Sequence, residues 1–132
     1  MAKGLDFANV GLVGIISADI SLNIPDFRSA EKTFQLITQA AGRAGRGEER
    51  GHVIVQTYSP EHYAVTAAAA HDYEAFYRTE IKMRKLLGYP PYADMMQIVV
   101  SSAEESDAQA GANLTEALLR RALGDREALN LM

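Results

Sequence analysis

The sequence predicts an α/β fold of parallel strands joined by helices, and three observations carry that expectation. Residues 11–18 are a continuous stretch, apolar but for Ser17, that carries Leu12, Val13, Ile15 and Ile16, the pattern of a strand buried on both faces. Phe27, Ala30, Phe34, Ile37 and Ala41 then recur at spacings of three and four, which lays one apolar stripe along a helix. Residues 53–57 read as a second buried strand, opening with Val53-Ile54-Val55, and the helix between the two strands makes them parallel.

The elements follow in order. Asp19 stands where the first strand ends, either to orient site residues beyond a carboxyl strand end or simply to form a turn. Asp26 is placed to cap the next helix. On that helix Gln39, Arg43 and Arg46 lie off the apolar stripe at spacings of four and three, so they share another face. Residues 47–51 read as a charged turn before the second strand. Ser59-Pro60 opens a helical region that runs to Leu87 and breaks near His71-Asp72, because Asp72 suits a cap better than a helix interior. Alanines at 67–70 imply close packing of a neighbour. Tyr73, Phe76, Tyr77, Ile81 and Leu87 form an apolar face whose expected role is core, with base stacking as the alternative. Gly88 ends the helix and Pro90-Pro91 forbids its continuation. Residues 95–101 read as a strand, and Ser102 with Glu105 as a capping box for a helix reaching about Leu123. Residues 124–132 carry no signal and are expected to fray.

Composition bounds the function. The chain has 132 residues, 48% of them hydrophobic, and a net charge of −4, enough for one domain or two small ones without global attraction to nucleic acid. Positive charge is local, at Arg43, Arg46 and Arg50 and again at Arg78, Lys82, Arg84 and Lys85. The second group shares its helix with Glu74 and Glu80, which favours a solvated, salt-bridged face. Cysteine is absent, so this segment has no disulfide or cysteine-ligated zinc, in keeping with a reducing compartment. No apolar run reaches membrane-spanning length and no signal-peptide pattern opens the chain. His52, His62 and His71 lack metal-ligand spacing, and neither Ser59 nor Ser101 has a nucleophile-elbow context.

The chemistry concentrates in Gln39-Ala40-Ala41-Gly42-Arg43-Ala44-Gly45-Arg46-Gly47. Two arginines one helical turn apart can grip a phosphoryl group from two sides with planar, permanently charged forks. Gly42 and Gly45 let a nucleotide approach closely and let the helix end in a left-handed turn. A solvated basic helix end, favoured by the dipole alone, is the plainer reading of an isolated R-x-x-R.

The longer pattern Q-x-x-G-R-x-G-R resembles motif VI of superfamily 2 helicases. Its flanks, Lys3-Gly4-Leu5-Asp6-Phe7, Val10-Gly11-Leu12-Val13-Gly14, Ala18-Asp19 and Pro25-Asp26-Phe27-Arg28-Ser29-Ala30-Glu31, are similar to motif V and the motif V–VI connection of the primosomal protein N′ (PriA) family of bacterial replication-restart helicases. Gly51-His52-Val53-Ile54-Val55-Gln56-Thr57, His71-Asp72-Tyr73 and Leu87-Gly88-Tyr89-Pro90-Pro91 continue the resemblance over nearly the whole chain. Leu5 and Ala8 depart from it, standing where that family usually has a polar aromatic or imidazole residue and a proline, and Ser17 stands where an acidic residue is common.

The resemblance implies the end of a RecA-like second helicase lobe at residues 1–58, a helical connector at 59–91 and the start of a small α+β C-terminal domain at 92–132. It implies that Arg43 and Arg46 stabilise charge on the γ-phosphate of ATP, that Gln39 positions them or the attacking water, and that Gly4, Asp6 and Gly42 belong to the nucleotide side. Lys3 would touch the DNA backbone. No G-x-x-x-x-G-K-[ST] loop or D-E-x-H box occurs in these residues, so ATP and magnesium would be held together with a first lobe. Zinc belongs elsewhere in such a parent and no metal site is expected in this segment. Forked or branched DNA, primosome proteins and single-strand-binding proteins are the implied partners, in the cytoplasm. Another superfamily 2 translocase, or a non-catalytic module that binds protein or forked DNA, is the alternative. The isolated segment is expected to lack ATP turnover. Its strand edges, unpaired without the rest of each sheet, favour a homo-oligomer.

Overall fold

The computed structural model describes residues 10–44 and 51–123, and they fall into two units, one up to Met95 and one from Met96. The first unit runs β1 (Leu12–Ile15), α1 (Asp19–Leu22), α2 (Ser29–Ala41), β2 (His52–Val55), α3 (Tyr63–Ala69) and α4 (Tyr73–Leu87). β1 and β2 pair in parallel, with Val13 opposite Val53 and Ile15 opposite Val55. This is the α/β arrangement that the two apolar runs and the intervening helix predict.

The strands differ from expectation in their burial. Both alternate between exposed and half-buried residues, so only one face of the sheet is covered. Ile15 and Val55 pack against the core, while Leu12 and Ile54 are each 60% exposed on the other face and Ile16, just past β1, is 82% exposed. Apolarity on both faces is a sequence property, but burial needs a second layer. Among the described residues no element supplies that layer.

β1 also stops earlier than its apolar run. Ser17 takes a left-handed backbone with φ of 55°, a conformation that costs energy for a residue with a side chain. The chain is turned there into α1, a short helix with no periodic signal in the sequence. Asp19 holds the turn: Thr57 donates its hydroxyl to Asp19 Oδ1 at 2.9 Å, and the Tyr58 N–H donates to the same carboxylate. Desolvation alone would raise the Asp19 pKa, but the Tyr58 and Thr57 donors outweigh it and hold the carboxylate below its usual value. Asp19 therefore ties the end of β1 to the residues that follow β2, the structural role of a turn residue.

Helix α2 is the centre of this unit, packing against both strands, α1, α3 and α4. Its buried residues are Ala30, Thr33, Phe34, Ile37 and Ala40, one helical face, whereas Phe27 precedes the helix and Ala41 is half-buried. Burial of Phe34 and Ile37 is worth about 1.5–3 kcal/mol each. Phe34 stacks on Phe76 of α4 with ring centroids 4.3 Å apart, and Ala64, Ala67 and Ala68 of α3 join the same core. Of the alanines at 67–70, Ala67 and Ala68 are buried in this core while Ala69 and Ala70 are exposed.

Asp26 lies two residues before the cap position expected of it. Arg28 bounds the helix without a side-chain cap, and Asp26 instead accepts the Arg28 N–H at 2.9 Å, the Arg28 guanidinium and the Lys32 ammonium. Lys32 first and Arg28 second hold its carboxyl far below the ordinary value. A depressed folded-state pKa contributes stability that is complete above the unfolded value, about 3.9, and is lost as pH falls toward the folded value. Asp26→Asn is accordingly expected to melt below the wild type at pH 7, with the gap narrowing progressively below about pH 4. Melting curves at several pH values check this, and a gap independent of pH would contradict it.

The break between α3 and α4 falls where the sequence places it. His71 adopts a left-handed φ of 53° and the Asp72 carboxylate accepts the Ala75 N–H at 2.9 Å, capping α4. Gly88 closes α4 in a left-handed conformation with φ of 66°, and the Tyr89 N–H reaches back to the Arg84 carbonyl at 2.8 Å, a turn that glycine makes without strain. His62, rather than Ser59 or Pro60, caps α3: its Nδ1 accepts the Ala64 N–H at 3.2 Å. Burial lowers the His62 pKa against the opposite pull of Glu80.

The second unit contains α5 (Glu105–Leu123), close to the helix expected there. The strand expected over residues 95–101 is not formed; these residues are irregular and exposed. A strand exists only through ladder partners, and none is found among the described residues. The capping box is also displaced, since Ser102 Oγ accepts the Glu104 N–H at 3.3 Å and α5 starts at Glu105 itself. Among the described residues no helix is long and apolar enough to cross a membrane.

Candidate functional site

The candidate site begins at the C-terminal end of α2, the best-anchored helix of the first unit. Gln39 is exposed and Arg43 half-buried, and their spacing of four brings them to one side of the helix. Backbone bonds from Arg43 N–H to the Ala40 carbonyl and from Ala44 N–H to the Ala41 carbonyl, both 3.1 Å, carry helical turns past Ala41 and hold Arg43 in phase with Gln39. Arg46, Lys3, Gly4 and Asp6 lie outside the described residues, as do Gly45 and the turn expected over residues 47–51 apart from Gly51.

Gly42 does not end the helix in a left-handed turn. Its φ is −66°, in the ordinary right-handed region, and its N–H continues the helix to the Thr38 carbonyl at 3.0 Å. A Cβ built on Gly42 would sit 3.6 Å from the Thr38 carbonyl oxygen and 3.7 Å from that of Gln39, which is ordinary contact. Among the described residues an alanine would therefore meet only ordinary contacts here. The backbone at Gly42 does not itself call for glycine.

Beside α2, a groove of about 370 Å³ runs along α4, lined by Gln35, Thr38 and Gln39 on one side and by Tyr73, Tyr77 and Arg84 on the other. The aromatic face of α4 divides along it. Phe76 is core, stacked between Phe34 and Tyr63, while Tyr73, Tyr77 and Leu87 are exposed.

A second constellation was not apparent from the sequence. Glu80 is only 7% exposed and is held from two sides: Tyr63 donates its hydroxyl to Oε2 at 2.6 Å and Arg84 donates Nε to Oε1 at 2.7 Å. Arg84 also donates Nη2 to Glu31 Oε2 of α2 at 2.7 Å. Burial first, and the Glu80 hydrogen bond after it, push the Tyr63 hydroxyl well above the usual tyrosine pKa. Burial works against the Arg84 charge, but Glu80 and Glu31 outweigh it and raise its pKa. The solvated face expected for Arg78, Lys82, Arg84 and Lys85 thus holds for the Arg78–Glu74 pair, 3.0 Å apart and exposed, and fails for Arg84 with Glu80. Helical phase was the available signal. Glu80 follows Phe76 by four residues and Arg84 follows Glu80 by four, so both continue the buried face.

Among the described residues no group of three or more His, Cys, Asp or Glu side chains is placed to hold a metal ion. No protein-family model matches the chain. The α/β unit with a glutamine and an arginine at the end of its central helix nevertheless has clear sequence relatives. The chain is 57% identical to the replication restart protein PriA of Bacillus subtilis over 108 residues, which are 82% of this chain and 13% of that protein. It is 46% identical over 123 residues to the PriA of Synechocystis, covering 90% of this chain and 15% of the relative, and 44% identical over 119 residues to that of Treponema pallidum. The chain belongs to the PriA family, and it spans less than a fifth of the length of these relatives.

Proposed function

We propose that this chain supplies the motif V and motif VI edge of the ATP site in a DNA helicase that acts in replication restart. The first unit is then the end of a RecA-like second lobe. Two parallel strands with the helices between them support that reading, as does the apolar sheet face at Leu12 and Ile54, which suits a further layer of helices. Gln39, Arg43 and Arg46 act on the transferring phosphoryl group, with Gly4, Asp6 and Gly42 on the nucleotide side and Lys3 on the DNA backbone. ATP and magnesium are held jointly with a first lobe, and the DNA acted on is forked or branched. Catalysis in such a site is positioning plus electrostatics, because phosphoryl transfer asks little covalent chemistry of the protein.

Gly42 is the single observation that carries the reading furthest. Its right-handed backbone does not by itself call for glycine, and the missing side chain leaves room for a phosphate chain to come close to the helix end. Gly42→Ala in the full-length protein is expected to keep or raise the melting temperature, since alanine is the better helix former by up to about 1 kcal/mol. ATP turnover is expected to fall about 10- to 100-fold, the scale of a displacement of about 1 Å at a reacting group. Phosphate release and melting are measured on the same preparation. A variant that turns over ATP at the wild-type rate would show that no phosphate chain comes to Gly42.

A further inference from the structure

We propose that Arg84 is a positioning residue that fixes α2 to the segment by which the chain leaves α4, so that Gln39 and Arg43 move as one body with Tyr89 and Pro90. The proposal rests on the nucleotide-facing reading of α2 for its catalytic consequence, though not for its geometry. Arg84 divides its donors among three places: Nε to Glu80 of its own helix at 2.7 Å, Nη2 to Glu31 of α2 at 2.7 Å, and Nη1 to the Pro90 carbonyl at 3.4 Å. Its guanidinium also lies 5.2 Å from the centre of the Phe27 ring, in the lead-in to α2, and that ring is 5.6 Å from Tyr89. The Pro25-Asp26-Phe27-Arg28 block and the Gly88-Tyr89-Pro90-Pro91 block, distant in sequence, therefore meet around one side chain.

Only arginine has the donors and the flat face for all of these contacts at once. A lysine ammonium could serve one carboxylate and would leave the others. The anchor is rigid, because Glu80 is buried and Tyr63 grips its second oxygen. Stability alone is a poor reason for such a network, since desolvation of buried ions offsets most of their attraction. Fixing one geometry is the use that remains. The link to α2 passes through Glu31, whose side chain is 35% exposed and which also accepts from Gln35 of the next turn, so its charge can be removed without opening the core.

The test uses Glu31→Gln, Arg84→Lys and their combination in the full-length protein, with Arg43→Ala as control. Hydrogen exchange reads the geometry: Arg84→Lys is expected to speed exchange both in the first turns of α2 and at the Tyr89 amide. Faster exchange in only one of the two, or in neither, overturns the clasp whatever the ATP data show. Steady-state kinetics read the consequence. Each single variant is expected to lower kcat about tenfold at unchanged KM for ATP, a positioning effect, and the double variant is expected to be no worse than Arg84→Lys alone because both cut one link. Wild-type kcat in both single variants overturns the positioning role. A wild-type rate in Arg43→Ala would overturn the nucleotide-facing reading instead, leaving the exchange result to decide the clasp.

Discussion

Arg43→Ala in the full-length protein is expected to lower DNA-stimulated ATP turnover by about 10³-fold or more, the scale on which an arginine stabilises a transferring phosphoryl group, while affinity for forked DNA is kept. The asymmetry follows from placement. Arg43 sits at the end of the helix that packs against both strands, α1, α3 and α4, so it is held on a rigid support, and a fixed charge costs no reorganisation when negative charge develops. Arg43→Lys keeps the charge and loses the planar fork, so it should recover only part of the rate. ATPase rate and fork affinity on the same protein form the decisive pair. If affinity collapses while the rate at saturating DNA persists, Arg43 belongs to a nucleic-acid patch, and the proposed role on the phosphoryl group is lost.

Phe34→Ala should destabilise the 132-residue chain by about 3–5 kcal/mol, the cost of deleting a buried aromatic and leaving a cavity. Phe34 is 6% exposed, and it stacks on Phe76 at 4.3 Å with Tyr73 at 6.2 Å. It therefore joins α2 to α4 where the Arg84 network joins them by charge. A loss of that size is a large part of the total stability of a small domain, about 5–15 kcal/mol. Ile37→Val, which removes one methylene from the same core, should cost only about 0.5–1.5 kcal/mol. Urea titrations followed by helical circular dichroism compare the two. An equal, small shift in both would mean that α2 is not the central packing element. The outcome bears on function as well, because a loosened α2 would no longer hold Gln39 and Arg43 in a fixed direction.

Much of this protein was determined by local sequence. The three- and four-residue spacing along residues 27–41 gave α2 and its face, since helical periodicity is intrinsic to the backbone. Asp72 and Gly88 bounded α4 because a side-chain cap and a left-handed turn are decided within a few residues. The wider sequence blocks pointed to the family, and the glutamine and arginine pattern supplied the proposal of a phosphate site. Tertiary structure decided what depends on neighbours distant in the chain. Whether a face of β1 is covered, whether residues 95–101 find a strand partner, and whether Glu80 and Arg84 are solvated or enclosed are set by which element lies alongside. Asp19 shows the same division. Its position after an apolar run was legible, but its partners, Thr57 and Tyr58, come from the end of the other strand. Periodicity records which way a side chain points, and only packing supplies what it meets there.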